Sequence, residues 1–203
     1  REPYLSGKGV IIAIIDSGID FYLPEFLDSN GNTRILSIWD QTDNPRLYTH
    51  EQINEAIRLG RIEGSRIVPV EDISGHGTAV AAIAAGTISG VAPQAEMLVI
   101  KLGSSGRNSF PLTTQLMRGI NFAVNTGIER NMPVAVNISY GNTYGDHQGN
   151  SLLERFVDNA SEIGRTSIVI GSGNEGISRG HISGTLNRRT ELEMAVSDFE
   201  TGL

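Results

Sequence analysis

The 203-residue sequence contains no cysteine, so it can form neither a disulfide framework nor a thiolate metal site. Its apolar runs fall well short of the roughly 20 residues that a membrane-spanning helix needs. The first ten residues lack the pattern of a secretory signal. A membrane is therefore not an expected partner, while the absence of cysteine alone leaves the compartment open.

Positive charge is also scarce, and it is nowhere concentrated. Sixteen lysines and arginines stand against 23 aspartates and glutamates, a formal net charge of -7. A protein that neutralises a phosphate backbone needs a basic patch, so nucleic acid is not an expected partner either. The first residue is Arg1 rather than methionine, from which we expect a chain that was processed or cut from something longer.

Four short apolar runs bounded by glycine or polar residues stand out. They are GVIIAIID, AEMLVIKLG, MPVAVNISYG and TSIVIGSGN, at residues 9–16, 95–103, 132–141 and 166–174. Such continuous, β-branched runs are typical of strands buried on both faces of a parallel sheet. Because helical patterns lie between them, we predict an α/β fold: a doubly wound, mostly parallel sheet with helices on both faces.

Three segments carry helix signals. Pro111 opens one helix, which Gly127 closes. Ser151 can cap a second helix. A capping box that begins at Thr49 predicts a shorter helix around residues 51–59, which stops at Gly60.

The length suits one domain, or most of one. Residues 28–48 are rich in Asp, Asn and Gly around a short RILSIW run, so they look like an excursion from the main fold that continues to about residue 70. Residues 190–199, TELEMAVSDF, alternate polar and apolar side chains, which predicts a strand with one wet face. We expect a further β segment to start there, over about residues 186–203.

The first apolar run ends on a carboxylate, Asp16. An ionised carboxylate is too costly to bury unpaired, so Asp16 either reaches solvent as a loop-capping residue or has a partner waiting. Ligand sites of open parallel sheets lie beyond the carboxyl ends of the strands, which is where Asp16 falls. Both interpretations stay open on this residue alone.

A titratable ring stands at the start of a run of small residues. His76 lies between Gly75 and Gly77 in DISGHGTAVAAIAAG, whose helical spacing places the ring near a helix N-terminus. The positive end of a helix disfavours an imidazolium and so favours a neutral ring that can accept a proton. The two glycines would allow backbone or a substrate to come close. Isolated histidines are usually structural, which is our interpretation of His50, His147 and His181.

The fourth run ends in GSGNEG, residues 171–176. This matches the G-x-G-x-x-G pattern of dinucleotide sites, but such a site needs a helix to begin within the glycines, and the next 13 residues have no helical stripe. Asn174 has another use, since a side-chain amide at a strand end can donate to an oxygen that acquires negative charge.

The ends of the third and fourth runs form a second candidate feature. They would offer two backbone edges separated by a gap, to which an extended peptide can add itself as a strand. Ordinary strand-to-loop transitions are the alternative. The residues concerned are Ser139, Tyr140, Gly141, Gly171, Ser172 and Gly173.

Five motifs, taken in order, resemble the subtilisin-like serine proteases. They are AIIDSGID around Asp16, GHGTAVAAIAAG around His76, GVAPQAEMLVIKL at residues 90–102, VNISYG at residues 136–141 and GSGNEG around Asn174. The resemblance spans nearly all of the chain up to about Gly176. RILSIWDQT and the YTHEQINEAI that follows are more similar to the spore-germination branch of this family than to its secreted digestive enzymes.

The resemblance implies a serine endopeptidase with an Asp/His/Ser triad. Asp16 would hold the imidazole of His76 in the correct tautomer, His76 would be the general base, and Asn174 would donate to the oxyanion. The two edges would line a cleft for an extended peptide or protein substrate. No cofactor is implied, and the short GTISGV link at residues 86–91 leaves no room for the family's calcium loop, so no metal is implied either.

The family's nucleophilic serine is missing. It lies in a G-T-S-M/A-type segment downstream of the oxyanion asparagine, and neither that segment nor a G-x-S-x-G elbow occurs before Leu203. We therefore expect the N-terminal portion of a subtilisin-like catalytic domain, inactive as an isolated chain. Apolar surface left uncovered would recruit its own C-terminal part or a second copy.

Several alternatives remain open from the sequence. The parent protein would be either an active enzyme or a pseudoprotease whose cleft binds peptides without cutting them. A dinucleotide-binding domain and an α/β scaffold with no chemistry are further alternatives. A member of this family would be secreted or spore-associated, and a cytoplasmic location is left open.

Overall fold

A computed structural model describes residues 5–103, 111–140 and 148–174, together with residues 185, 189 and 191. The chain divides into two compact units, Arg1–Ser172 and Gly173–Leu203. Every described helix and strand belongs to the first unit. In the second unit Arg189 and Glu191 form an exposed ion pair, with 2.5 Å between nitrogen and oxygen.

The first unit is built on a six-stranded sheet in the order β3-β2-β4-β1-β5-β6. All neighbouring strands are parallel except β2 and β3, which are antiparallel. The four predicted runs correspond to β1, β4, β5 and β6, which confirms a mostly parallel sheet. The strands are β1 (Ile11–Asp16), β2 (Ile35–Asp40), β3 (Arg46–Thr49), β4 (Glu96–Lys101), β5 (Val134–Ile138) and β6 (Thr166–Ile170).

Four α-helices lie in the described part of this unit, and two start at the cap residues that the sequence predicts, Thr49 and Ser151, each within a capping box. Thr49 and Gln52 cap the first helix, and Ser151 and Glu154 cap the last. Gly60 interrupts the first helix with φ 77 and ψ 171, after which one more turn follows. The helices are α1 (His50–Gly64), α2 (His76–Ala85), α3 (Thr113–Glu129) and α4 (Leu152–Ser161). No helix in the described ranges is both long and apolar enough to cross a membrane.

The central strand β1 contributes to two hydrophobic cores, because successive side chains of a strand point to opposite faces. Ile14 belongs to the core that also holds residues of α1 and α2. Ile11, Ala13 and Ile15 belong to the core that holds residues of α3 and α4. Helices therefore cover both faces of the sheet, as the doubly wound fold requires.

The predicted excursion at residues 28–48 is in fact part of the main sheet. It contributes β2 and β3, and β2 pairs in parallel with β4. Ile35 and Ile38 of β2 are fully buried, but partly exposed residues separate them and the register shifts between Ile35 and Ser37. A search for continuous apolar runs misses such a strand.

β6 also departs from expectation, because it is not buried on both faces. It lies at the edge of the described sheet, and Val169 and Ile170 are 58% and 48% exposed. An edge strand has a paired neighbour on one side only. The strand predicted at residues 190–199, and most of the β segment predicted at 186–203, lie outside the described residues.

α3 continues through Gly127, its predicted end. The helix stops at Glu129, and the chain turns at Asn131, which has φ 53. A Cβ atom on Gly127 would lie 2.2 Å from Cγ2 of Val134 and 3.0 Å from the Met132 carbonyl oxygen. Gly127 is therefore needed for the close packing of α3 on β5 rather than for ending the helix.

Replacing Gly127 with alanine should destabilise the fold by about 1–3 kcal/mol, because the added methyl group overpacks the contact with Val134. Urea unfolding followed by circular dichroism measures the change. Asn125→Ala, at an exposed position of the same helix, is the matched control and should keep or slightly raise the stability. A Gly127→Ala protein as stable as that control would contradict the packing role.

Candidate active site

The structure brings the carboxylate of Asp16 and the ring of His76 together. Asp16 is the last residue of β1 and is fully buried, while His76 is the first residue of α2 with a side chain that is 54% exposed. Nδ1 of the ring lies 2.8 Å from Oδ1 of the carboxylate. Of the two interpretations of Asp16, the structure therefore supports the buried group with a partner, and one side of that partner is open to solvent.

Two glycines make this contact sterically possible. A Cβ atom on Gly77 would lie 2.3 Å from the Gly18 carbonyl oxygen and 3.1 Å from Oδ1 of Asp16. Gly18 itself has φ 133, and a Cβ atom there would lie 2.8 Å from the carbonyl oxygen of Glu71. Gly75 caps α2 in the left-handed conformation, with φ 72 and open space around it. The backbone that follows β1 and the first turn of α2 can pack this closely because Gly18 and Gly77 have no side chain.

The first turn of α2 is capped by side chains from two segments. The N–H of His76 donates to Oγ of Ser74 at 3.1 Å, and the N–H of Gly77 donates to Oγ of Ser17 at 3.1 Å. The N–H of Thr78 donates to Oδ2 of Asp72 at 2.8 Å. These backbone groups have no partner within the helix, so the caps fix the position of the turn that carries His76.

Asp72 is the centre of this capping network. Its Oδ1 lies 2.8 and 3.1 Å from the hydroxyl oxygens of Ser17 and Ser74 and accepts from the N–H of Gly75 at 3.1 Å. The Ser74 hydroxyl also lies 2.9 Å from Oγ of Ser17. Oδ2 of Asp72 accepts from the hydroxyl of Thr78 at 2.6 Å as well as from its N–H. Burial alone would raise the pKa of the Asp72 carboxyl, but hydrogen bonds, led by those from Thr78, hold it below its ordinary value.

Sequence reasoning missed Asp72, Ser74 and Thr78, and it treated Ser17 only as the neighbour of Asp16. A signal for them was present, because Ser, Thr and Asp are the preferred residues around a helix start. What the sequence does not show is that Ser17, 55 residues before Asp72, joins the same network.

Asp16 has few hydrogen-bond donors for a buried carboxylate. Its Oδ1 lies 2.7 Å from the donating N–H of Ser17 and 3.1 Å from the Ser17 hydroxyl oxygen, in addition to the His76 ring. Within the described part of the chain, its Oδ2 accepts no hydrogen bond from a protein group. A charge with so few donors in a low-dielectric interior is a strong acceptor for the donors that do reach it.

The predicted peptide-binding edges follow β5 and β6, which are direct neighbours in the sheet. The N–H of Gly171 donates to the carbonyl oxygen of Ile138 at 3.0 Å, so pairing continues one residue past β6 and a gap can begin only beyond it. The side-chain amide of Asn137 donates to Oγ of Ser139 at 2.8 Å. Gly141 lies outside the described residues, and Ser172 is exposed.

Tyr140 is the member of these edges that faces the Asp–His pair electrostatically. Its ring is half-buried and packs against the core on the α3 and α4 side of the sheet. Burial raises the pKa of the Tyr140 hydroxyl, and the negative charges of Asp16 and Asp72 raise it further. The phenol is therefore neutral at physiological pH and lies within electrostatic reach of both carboxylates.

The remaining candidates have less structural context. Gly173 and Asn174 belong to the second unit, in which Asn174 is exposed. His50 is structural, as expected, since its Nδ1 lies 3.0 Å from the Ile35 carbonyl oxygen. His147 and His181 lie outside the described residues. Within the described ranges, no three His, Cys, Asp or Glu side chains are grouped so that they could hold a metal ion.

Comparison with known proteins decides the family. Residues 7–193 match the model of the subtilase family. The chain belongs to the subtilase family. Among solved structures, this subtilase is similar to the CspB protease of Clostridium perfringens, with 39% identity and a TM-score of 0.80 over 86% of this chain and 38% of that one.

Among curated proteins, this subtilase is similar to two proteases of Bacillus subtilis (strain 168). It is 27% identical to the major intracellular serine protease, over 85% of this chain and 45% of the relative. It is 29% identical to the minor extracellular protease Vpr, over 68% of this chain and 14% of the relative. The chain thus spans less than half the length of each of these three proteins. The comparisons confirm the family resemblance and the α/β fold, and the spore-germination branch stays a prediction.

The stability contributed by Asp72 should depend on pH in a defined direction. A carboxyl whose pKa is lowered by folding stabilises the fold above its ordinary value of 3.8, and this contribution is lost as pH falls through the lower native value. Asp72→Asn should therefore lower the urea midpoint at neutral pH, and the difference from wild type should shrink in acid.

The control for this experiment is Asp43→Asn, in the exposed loop between β2 and β3. It should leave the urea midpoint close to the wild-type value at each pH. An Asp72→Asn difference that stays constant down to the most acid pH would show that the Asp72 charge does not stabilise the fold.

Proposed function

We propose that this chain supplies the Asp–His pair of a subtilisin-type serine endopeptidase. The observation that carries the proposal is the 2.8 Å contact between Nδ1 of His76 and Oδ1 of the fully buried Asp16. It is supported by membership of the subtilase family and by the relatives, all of which are described as proteases.

The geometry suits general base catalysis. Because Asp16 accepts the Nδ1 proton, the neutral ring keeps its Nε2 lone pair available for the proton of a serine hydroxyl. The same ring then returns that proton to the leaving amine, and the buried carboxylate stabilises the imidazolium that forms in between. The 54% exposure of His76 leaves the ring accessible to a nucleophile and a substrate from outside this network.

The oxyanion donor in this proposal is Asn174, four residues after the end of β6. Its assignment rests on the family motif, and its amide would donate to the oxygen of the tetrahedral intermediate. Ser139, Tyr140 and Gly141 would bind one side of an extended peptide, and Gly171, Ser172 and Gly173 the other. The substrate class is therefore peptides and proteins.

The nucleophile would come from a segment that these 203 residues do not contain. A base without a nucleophile forms no acyl-enzyme, so we propose that the isolated chain does not hydrolyse peptides. A peptide-binding module that never cuts has no need of a base oriented by a buried carboxylate, which is why we favour an active parent enzyme over a pseudoprotease.

We also propose that the apolar surface around α2 is covered in the functional protein, by a further part of the same protein or by a second copy. Ile83 on α2, and Ile88 and Val91 in the loop that follows, are largely exposed. The N–H of Val91 donates to the Ile83 carbonyl oxygen at 3.0 Å, which holds this loop against the helix. Apolar groups clustered in this way are typical of covered surfaces.

The first test uses the 203-residue chain with a fluorophosphonate probe and a fluorogenic peptide. We expect neither labelling nor turnover, because the sequence lacks the G-T-S-M/A-type segment that carries the family's nucleophilic serine. The matched sample is His76→Ala, which should give the same background as the wild-type chain. Stoichiometric labelling of a serine in the wild-type chain that is lost in His76→Ala would contradict the assignment.

The second test uses a longer form of the protein that includes the serine segment. Asp16→Asn should lower kcat by about 10⁴-fold, because the ring loses the acceptor that sets its tautomer. Asn174→Ala should lower kcat by about 10²–10³-fold. Asp43→Asn, in the exposed β2–β3 loop, is the control and should leave kcat unchanged. Full activity in Asp16→Asn would exclude the proposed pair.

A further inference from the structure

The hydroxyl group of Ser17 lies between two carboxylates. Its Oγ is 3.1 Å from Oδ1 of Asp16 and 2.8 Å from Oδ1 of Asp72. A serine hydroxyl carries a single proton, so it can donate to only one of these oxygens at a time. The same Oγ accepts from the N–H of Gly77 at 3.1 Å and from the hydroxyl of Ser74 at 2.9 Å, so its own proton is left for one of the two carboxylates.

The distances and charges favour Asp72 as the acceptor of this proton. Oγ of Ser17 lies 2.8 Å from Oδ1 of Asp72 and 3.1 Å from Oδ1 of Asp16, so the contact with Asp72 is shorter by 0.3 Å. Asp72 is held ionised by its other donors, since its pKa lies below the ordinary value. When Ser17 donates to Asp72, the donors to Oδ1 of Asp16 among the described residues are the backbone N–H of Ser17 and the imidazole.

We propose that Asp72 is a positioning residue for the Asp16–His76 pair: it draws the Ser17 hydroxyl away from Asp16 and so leaves that carboxylate to the imidazole. Through Thr78 and Ser74 it also fixes the turn of α2 that carries the ring. The catalytic meaning of this inference rests on the proposed function. The hydrogen-bond arrangement itself does not.

Lys101 and Asp20, two further charged residues near this network, have partners of their own. Lys101 is the β4 residue in register with Asp16, and its ammonium donates to the Glu71 carbonyl oxygen at 2.5 Å. This hydrogen bond holds Glu71, the residue before Asp72, against β4. Tyr140, two residues beyond β5, lies within electrostatic reach of both carboxylates, whose charges help to raise the pKa of its hydroxyl. Asp20 pairs with Arg61 at 2.8 Å.

Removing the Asp72 charge should redirect the Ser17 proton. Between a neutral amide at position 72 and the ionised Asp16, a hydroxyl donates to the carboxylate, because hydrogen bonds to charged acceptors are stronger. In Asp72→Asn the imidazole therefore shares Oδ1 of Asp16 with a second donor. The fraction of neutral His76 rings with the proton on Nδ1 should then fall.

The test is ¹⁵N NMR of the His76 ring in the 203-residue chain at a pH where the ring is neutral, since the ring ¹⁵N shifts report which nitrogen carries the proton. We expect mainly the Nδ1–H form in wild type and in the control Asp43→Asn, and a lower Nδ1–H fraction in Asp72→Asn. The double variant Asp72→Asn/Ser17→Ala should recover toward wild type, because no hydroxyl is left to turn toward Asp16.

A purely structural role for Asp72 predicts the opposite result for the double variant. If Asp72 only anchored the turn, removing Ser17 as well would loosen the turn further, and the Nδ1–H fraction would fall at least as far as in Asp72→Asn. A double variant no better than the single one overturns the proposal, and so does a fall in Ser17→Ala alone.

A second measurement decides the proposal even where Asp72→Asn fails to fold. The ¹³C signal of the Asp72 carboxyl, followed against pH, should show a higher titration midpoint in Ser17→Ala, because a hydrogen bond to the charged form is lost. Ser17→Thr keeps the hydroxyl and should keep the wild-type midpoint. An unchanged midpoint in Ser17→Ala would show that Asp72 does not receive the proton. Because neither readout measures hydrolysis, an inactive longer protein would contradict the proposed function without touching this inference.

Discussion

The arrangement of this molecule depends on one buried charge, the carboxylate of Asp16 at the end of the central strand. A carboxylate with no exposed surface is tolerated in a protein interior only when other groups offset the loss of water. The chain meets this requirement with the imidazole of His76 and the backbone of Ser17. The glycines at positions 18 and 77 then follow as a steric condition. A methyl group on Gly77 would clash with Gly18 and Asp16, and one on Gly18 would clash with the carbonyl oxygen of Glu71 in the loop before α2.

The capping of α2 serves the helix and the site through the same atoms. Three backbone N–H groups at the start of the helix need acceptors, and Ser74, Ser17 and Asp72 supply them. Ser17 and Asp72 belong to segments far apart in sequence, so the caps also join the end of β1 to the loop before α2. The position of the turn that carries His76 is thus set by the hydrogen bonds that any helix start must satisfy.

Much of the fold could be predicted from the sequence because its central strands are continuous apolar runs, which only a sheet covered on both faces can bury. The strand β2 could not be found in this way, since two partly exposed residues follow each of its buried residues, Ile35 and Ile38. The role of Gly127 depends on Val134 in the next strand, so the helix sequence alone suggested a stop. Local patterns identify elements, but they do not show which atoms meet between elements.

The same distinction holds for the site. Asp16 and His76 were candidates because each stands at a position where parallel α/β proteins place functional groups, and the family motifs supported both. Asp72 was not a candidate, since its link to the site runs through Ser17, which lies 55 residues away and reaches it only in the folded chain. Asn174 and the peptide-binding edges still rest on motifs and on strand ends rather than on observed contacts.

Because β1 lies between two cores, the Asp16 side of the Asp16–His76 contact should be lost only when the protein unfolds globally. Side chains of β1 lie in both cores, so exposing the strand to solvent requires both cores to open. A local fluctuation that opens one core is not enough. The amide protons of Ile14 and Ile15 should therefore exchange with deuterium only through global unfolding. The carboxylate end of the contact would then keep its place until the whole sheet comes apart.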